Sequence, residues 1–323
     1  MNYYPHFQKL VARARNAPPM AAAVVYPLDR DALQLALSGA FGRYLAPSLV
    51  GPELRIREVA ARNGLSIDHL AVVDTPDDPR AASVCAAQMA RDGQVAALVK
   101  GSLLIEDLLT PVAAPDSGLR TETRLTHAYF LDLPGQDRGL LLTDAQLNVN
   151  PNLAAKRDIV QNAINLAHAL GIATPRVGVL AAIDGPSAAF PSTAEAVALR
   201  EMAAQGLILG GRIDGPFTPE TALSADAAEA NGVTSDIAGH LDVLVAPGME
   251  AAQMVLRTLT VITRGLAAGL VLGARIPIVV TARGDSMESR MASCVLASLV
   301  AVHARDAARK PAATAEASAR ALA

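Results

Sequence analysis

The chain contains no tryptophan, and aromatic residues make up only 3% of it. Yet 51% of its 323 residues are hydrophobic, so a large core must be aliphatic, built from Ala, Val, Leu and Ile. Cysteine is nearly absent too. Cys85 and Cys294 lie far apart in Ala-rich helical patterns, which reads as two small core residues, not a disulfide or a metal pair. A reducing, cytoplasmic setting is the expectation. Excess charge is also missing. The net charge is −3 and no basic run occurs, so neither nucleic acid nor an anionic membrane is expected as a partner. No apolar segment follows the first charges as in a signal peptide. The apolar tract near Gly265 to Val271 reads as too short and too Gly-rich to span a bilayer.

The usual cofactor signatures are missing as well. There is no Gly-x-Gly-x-x-Gly after a strand and no Gly-x4-Gly-Lys-Ser/Thr, which removes both common nucleotide loops. No Cys/His pair has zinc spacing, no Gly-x-Ser-x-Gly elbow occurs, and no Asp-Asp-x3-Asp cluster stands ready for magnesium. The six histidines are isolated in sequence. His127 and His240, each at a strand end, are the better candidates among them.

What is present is alternation. Short apolar runs at 20–26, 48–50, 70–73 and 95–99 read as strands, separated by helical patterns at 29–41, 53–63 and 79–91. Gly64 and Gly93 stop two of those helices. This is the pattern of a parallel α/β sheet with right-handed crossovers. Residues 126–133 and 139–143 read as a hairpin around Pro134-Gly135. A long amphipathic helix follows at 152–170. Then come a strand at 176–180, a helix at 192–204, a glycine-rich bend at 206–215 and a helix at 219–231. A strand at 242–245 and a helix at 250–268 precede the last strand. The Ala-rich tail from Arg305 reads as a helix extension or frayed end.

The most informative stretch is Gly273-Ala-Arg-Ile-Pro-Ile-Val-Val-Thr-Ala-Arg-Gly-Asp-Ser286. Ile276, Ile278, Val279 and Val280 read as a strand buried on both faces. A turn carrying Arg283 follows, and then a helix. Ligands of open α/β sheets bind at such carboxyl ends, and a helix N-terminus offers N–H groups to an anion. The plainer reading is a surface arginine beside a capping box made by Asp285 and Glu288. Other polar clusters follow strands in the same way. Lys100-Gly-Ser102 supplies a charge, a hydroxyl and a glycine that lets a ligand approach the backbone. Arg120 and Arg124 stand four apart, spaced to grip a phosphate by forked hydrogen bonds or to form a solvated segment with Glu122. Asp144 and Asn148 follow the strand ending at Thr143, and Asn162 lies on the long helix.

These residues are recognisable together. Ala23-Val-Val-Tyr-Pro27, Pro47-Ser-Leu-Val-Gly-Pro52, Leu98-Val-Lys-Gly-Ser102 and Gly118-Leu-Arg-Thr121 begin the series. Leu142-Thr-Asp-Ala145, Lys156-Arg-Asp-Ile-Val-Gln-Asn-Ala163, Asp214-Gly-Pro216, Gly273-Ala-Arg-Ile-Pro277 and Arg290-Met-Ala-Ser-Cys294 continue it. In order and spacing the chain resembles the phosphate acetyl/butyryltransferase family, and most of all the transacylase half found fused to MaoC-like hydratase domains. The resemblance implies a two-domain, three-layer α/β/α fold of the isocitrate/isopropylmalate dehydrogenase kind. It implies a first domain of residues 1–128 plus 275–323, an inserted second domain of 129–274, a cleft between them, and a homodimer.

The implied reaction is acyl phosphate plus CoA giving acyl-CoA plus phosphate, with CoA and phosphate as substrates and no bound cofactor. Arg283 matches the family's catalytic arginine, Ser286 a serine of the same turn, and Lys100, Gly101 and Ser102 the cleft loop. Arg120, Arg124, Asp144 and Asp285 are the remaining candidates for substrate contact. The chain departs from the pattern at Ala282, where the family has Ser, and at Ser289, where the acetyl branch has Asp. Leu104 and Ile105 replace a His-Thr pair, and Arg257 replaces a lysine. Two other readings stand beside a phosphate acyltransferase. One is a degenerate member that binds acyl-CoA or an organic phosphate in a regulatory role. The other is a decarboxylating dehydrogenase of the same superfamily fold, against which the missing metal-binding aspartates argue.

Overall fold

The computed structural model describes residues 4–282 and 284–321; for residues 39, 40 and 309–321 it describes the backbone alone. The first segment runs α1 (Pro5–Ala14), β1 (Met20–Val25), α2 (Arg30–Leu37), α3 (Gly39–Tyr44), β2 (Leu45–Gly51), α4 (Glu53–Arg62), β3 (Ala71–Asp74), α5 (Pro79–Arg91), β4 (Ala97–Lys100) and α6 (Ile105–Ala113). The middle runs β5 (Thr126–Asp132), β6 (Leu140–Thr143), α7 (Leu153–Ala169), β7 (Arg176–Leu180), α8 (Pro191–Ala204), β8 (Arg212–Phe217), α9 (Pro219–Leu223), α10 (Ala225–Ala230), β9 (Val243–Val245) and α11 (Met249–Thr263). The chain closes with β10 (Leu266–Leu272), β11 (Ile278–Val279) and α12 (Met287–Ala321).

The eleven strands form one sheet in the order β3-β2-β1-β4-β11-β10-β5-β6-β9-β7-β8. β3, β2, β1, β4 and β11 are mutually parallel, as are β6, β9, β7 and β8. Three antiparallel pairings, β11–β10, β10–β5 and β5–β6, separate the two blocks. An odd number of reversals turns the second block over, so the carboxyl ends of β4 and of β6 face opposite edges of the sheet. This relationship decides which candidate residues can meet.

Helices cover both faces, as a largely parallel sheet requires. Ala22 and Val24 pack on one side with α1, α3, α7 and α12, while Ala23 and Val25 pack on the other with α5 and α6. A third apolar cluster lies under α9–α11 on Tyr129, Leu131 and Leu142. The aliphatic core expected from composition is what fills these layers. Cys294 is buried in it and Cys85 is half-buried, both as free thiols.

The structure revises several expected elements. The helix expected at 250–268 ends earlier, and its last residues, 266–268, begin β10: Arg264 takes a left-handed φ of 55° and stops α11, and β10 then pairs with β5 over its whole length. The glycine-rich bend at 206–215 contains the start of β8, parallel to β7. The expected helix at 29–41 breaks at Ser38, and that at 219–231 breaks at Ser224; each serine is extended and caps the next helix. Helices α1 and α6 were not anticipated. Within α12, Met287–Ala308 is long and apolar enough to cross a membrane, but half of it is buried inside this fold, and α12 lies against β10 and α1. The expected boundary at 128/129 falls inside β5. The other, at 274/275, falls where Ala274 bridges Arg120.

Candidate active site

Strand β4 ends at Lys100, and the chain then crosses the end of β1. Gly101 N–H donates to the Val25 carbonyl over 2.9 Å, and Ser102 N–H to the Tyr26 carbonyl over 2.8 Å. A Cβ on Gly101 would stand 2.5 Å from the Val25 oxygen and 2.7 Å from that of Tyr26. The glycine is therefore required by the close approach of the neighbouring strand, a role that the sequence pattern alone does not distinguish from room for a ligand. The crossing aims Ser102 at α2. Its hydroxyl donates to Asp29 Oδ2 over 2.6 Å, while Asp29 Oδ1 caps α2 by accepting from Ala32 N–H over 2.7 Å. Lys100 Nζ reaches the Gly101 carbonyl at 3.3 Å, among other contacts.

Strand β11 lies beside β4 and ends at the same edge. Arg283 lies outside the described residues, so the site is built from its neighbours. The Asp285 carboxylate accepts from Ala282 N–H over 2.7 Å, and Asp285 N–H donates to the Ala282 carbonyl over 3.1 Å. Asp285 thus closes the turn by bonding backward, where the sequence offered it as a helix cap or a substrate ligand. The cap of α12 is Ser286, whose Oγ accepts from Ser289 N–H over 3.1 Å. Arg290 folds back from the first turn of α12 onto Thr281, Ala282 and Asp285, and pairs with Asp31.

Between these two loops lies a cleft of about 740 Å³, lined by Asp29–Ala32, Lys100–Leu104, Thr281, Ala282 and Arg290. The helices α2, α5 and α6 begin at its wall, and α12 begins just beyond the turn. Helix N-termini carry partial positive charge and free N–H groups; α6 has no side-chain cap at Leu104 to occupy its own. Arg30, Lys100 and Arg290 line the cleft beside the carboxylates of Asp29, Asp31 and Asp107, so its positive groups and the uncapped start of α6 are what an anion could use. From the middle of the chain, Tyr129 comes within electrostatic range of the turn. Burial pushes its phenol up to about 12, the negative charge of Asp285 adds to this, and Arg257 on α11 opposes it. Its hydroxyl donates to Gln146 Oε1 over 2.8 Å.

The remaining candidates do not reach this cleft. Asp144 follows β6, at the opposite edge of the sheet, and is 3% exposed. Its carboxylate accepts from Gln146 N–H, Leu147 N–H and Asn148 Nδ2, which holds it within the turn after β6. Burial raises its pKa, against those hydrogen bonds. Arg124 precedes β5 at that same edge, its guanidinium against Asn148 and Asp158. Arg120 bridges Ala274 through its backbone. Asn162 ties Thr123, Arg124 and Thr126 to α7. A second groove of about 870 Å³ lies there, along Thr121–Thr123, α7 and Gly273–Pro277.

His127 is fully buried against Tyr129, with ring centroids 4.5 Å apart. Burial lowers its pKa to about 3, which makes it a neutral core residue. His240 is exposed. Among the described residues no three His, Cys, Asp or Glu side chains gather as a metal site. Asp29, Asp31 and Arg290 were missed as site residues. Asp29 alone carried a local signal, being a helix cap directly after a buried strand.

Comparisons with known proteins give the family. The family model described as phosphate acetyl/butaryl transferase matches residues 77–298, more than half of the chain. A phosphate acetyltransferase of Rhizobium meliloti is 44% identical over 301 residues, covering 93% of this chain and 95% of that one.

The chain belongs to the phosphate acetyl/butyryltransferase family.

Both branches of the family are close to it. A phosphate butyryltransferase of Clostridium beijerinckii is 33% identical over 296 residues, covering 92% of this chain and 98% of that one. Among solved structures, a branched-chain phosphotransacylase from Enterococcus faecalis superposes with a TM-score of 0.76 at 23% identity, over 87% of this chain and 99% of that one. A 4-hydroxythreonine-4-phosphate dehydrogenase from Klebsiella pneumoniae does so at 0.54 and 17% identity, over 88% and 99%. The fold is thus the dehydrogenase-like α/β architecture that phosphotransacylases share. Family membership makes the protein a transferase, and nothing found here favours the non-catalytic reading.

Proposed function

We propose that the protein transfers a short acyl group between CoA and inorganic phosphate in the cleft at the carboxyl ends of β1, β4 and β11. The observation that carries this reading is the meeting of the Lys100–Ser102 loop and the turn after β11 at one cleft, in a chain whose family is settled. In the reaction the CoA sulfur forms a bond to the acyl carbon of the acyl phosphate. The bond from that carbon to the phosphate oxygen breaks, phosphate leaves with the electron pair, and the thiol proton is released. Two anionic groups, the carbonyl oxygen and the departing phosphate, gain charge on the way. Preorganised positive charge lowers the barrier at such points. Lys100, the helix N-termini around the cleft and, by the family resemblance, Arg283 supply it. Ser102 and Ser286 offer hydroxyls on the two loops.

Acyl exchange tests the reading directly. Purified protein supplied with CoA and acetyl or butyryl phosphate should form the thioester, and added phosphate should reverse it. No exchange with acetyl, propionyl, butyryl or valeryl groups at high protein concentration would contradict it. CoA binding without exchange would return the non-catalytic reading.

The same proposal includes a cytoplasmic setting and a homodimer. Support for the dimer comes from α11, where Met254, Val261 and Ile262 are 68%, 74% and 76% exposed. Their spacing puts apolar surface along one side of the helix. Light scattering of the wild type and of Val261→Asp would test it. A monomeric wild type would contradict it.

A further inference from the structure

We infer that Arg290 is a positioning residue: it sets the shape of the turn from Thr281 to Ser286, and Asp31 on α2 sets the orientation of Arg290. This inference rests on the proposed reaction for its kinetic arm only. The turn has little regular structure of its own. Among the described residues, one backbone hydrogen bond, Asp285 N–H to the Ala282 carbonyl, and one carboxylate contact hold it from within. Arg290, which is 8% exposed, adds further contacts to it. Its Nε donates to the Asp285 carbonyl over 3.2 Å and its Nη2 to the Ala282 carbonyl over 3.2 Å. Its Nη1 lies 3.5 Å from Thr281 Oγ1. The guanidinium therefore grips the main chain on both sides of position 283.

The planar fork is what makes this grip possible. Nitrogens fixed in one plane can reach carbonyls at both ends of the turn together, which the single ammonium of a lysine cannot. Asp31 supplies the fixed reference. Its Oδ2 lies 3.3 Å from Arg290 Nη2, and it projects from the first turn of α2, the helix whose cap, Asp29, also holds Ser102. Through α2 the two loops of the cleft are thus registered to one another. The turn carries the arginine that the family resemblance assigns to catalysis. An error of about 1 Å in the placement of such a group can cost on the order of a hundredfold in rate. Arg290 also lines the cleft, so the alternative is that it holds the substrate anion itself.

Arg290→Lys, Arg290→Ala and Asp31→Asn, made in the full chain, separate these roles. Two measurements are needed: steady-state acyl exchange with varied CoA and phosphate, and amide hydrogen exchange across 281–290. Positioning predicts that Arg290→Lys lowers kcat on the order of a hundredfold while both KM values stay within about threefold of wild type. It predicts faster amide exchange at Ala282, Asp285 and Ser289 in all three variants, and partial recovery of kcat in Arg290→Ala on adding guanidinium ion. A raised KM for phosphate at unchanged kcat would overturn it in favour of direct anion binding. So would turn amides that exchange as in the wild type. Should the wild type show no acyl exchange, the proposed reaction fails, and the hydrogen-exchange arm still decides the positioning. Should Arg290→Ala not fold, Asp31→Asn carries the test, because that side chain is 55% exposed and its loss leaves the core intact.

Discussion

The Ser102 hydroxyl donates to the Asp29 carboxylate over 2.6 Å, joining the loop after β4 to the first turn of α2 across 73 residues of sequence. The same carboxylate caps the helix through its other oxygen. Asp29→Ala removes both, and should cost about 0.5–2 kcal/mol, the range of a lost N-cap. Ser102→Ala keeps the cap, so its thermal midpoint should stay near wild type while acyl exchange falls. Calorimetry and the exchange assay on the two variants check this pair. Equal loss of stability in both would contradict it.

Gly101→Ala should be worse than any side-chain change in this loop. The added methyl would meet the carbonyl oxygens of Val25, the last residue of β1, and of Tyr26 just after it, and backbone cannot step aside as a flexible side chain can. A loss of about 1–3 kcal/mol is expected, as for overpacked cores, with lower activity because the Ser102–Asp29 contact moves too. Urea unfolding measures the first and the exchange assay the second. A variant as stable as the wild type would contradict the crossing geometry.

How much of this was legible in the sequence varies with locality. The strand at Arg176–Leu180 and the helix at Pro79–Arg91 stood out because their patterns and stops are local, and Gly93 with a φ of 74° ends the latter. Residues 266–272 were hidden because Leu-Ala-Ala-Gly-Leu-Val-Leu continues an apolar helix as readily as it forms a buried strand. Only pairing with β5 decides. β8 was obscured by its flanking glycines. Lys100, Gly101 and Ser102 were readable as a strand-end cluster. The exclusion of Asp144 was not, since it depends on the three antiparallel pairings that reverse the second parallel block. Asp31 and Arg290 lie 259 residues apart and meet only in the folded chain.

Asp144→Asn tests that exclusion. The substitution puts an amide group against backbone N–H donors inside the protein, and buried polar mismatches cost about 1–3 kcal/mol. Denaturation should show that loss. The kinetic constants of the folded variant should stay close to wild type. A selective rise in a substrate KM would instead return Asp144 to the site.

His127 gives the protein a defined acid sensitivity. Its folded pKa is lowered to about 3 by burial, against about 6.5 in an unfolded chain. The unfolded state therefore takes up the proton first, and stability is lost as the pH falls from about 6.5 toward about 3. Between about pH 7 and pH 5 this linkage amounts to about 2 kcal/mol. His127→Leu should lose that part of the slope, read by urea unfolding at the two pH values. Equal slopes in both proteins would contradict the assignment.

On the proposed function, the cleft between the Lys100–Ser102 loop and the turn after β11 exchanges acyl groups between phosphate and CoA. The most direct measurement is thioester absorbance after mixing the purified protein with CoA and acetyl or butyryl phosphate, run in parallel with Lys100→Ala. The wild type should form the thioester, inorganic phosphate should reverse it, and the variant should lose most of the activity. Absence of thioester with every short acyl phosphate, or full activity in Lys100→Ala, would contradict it.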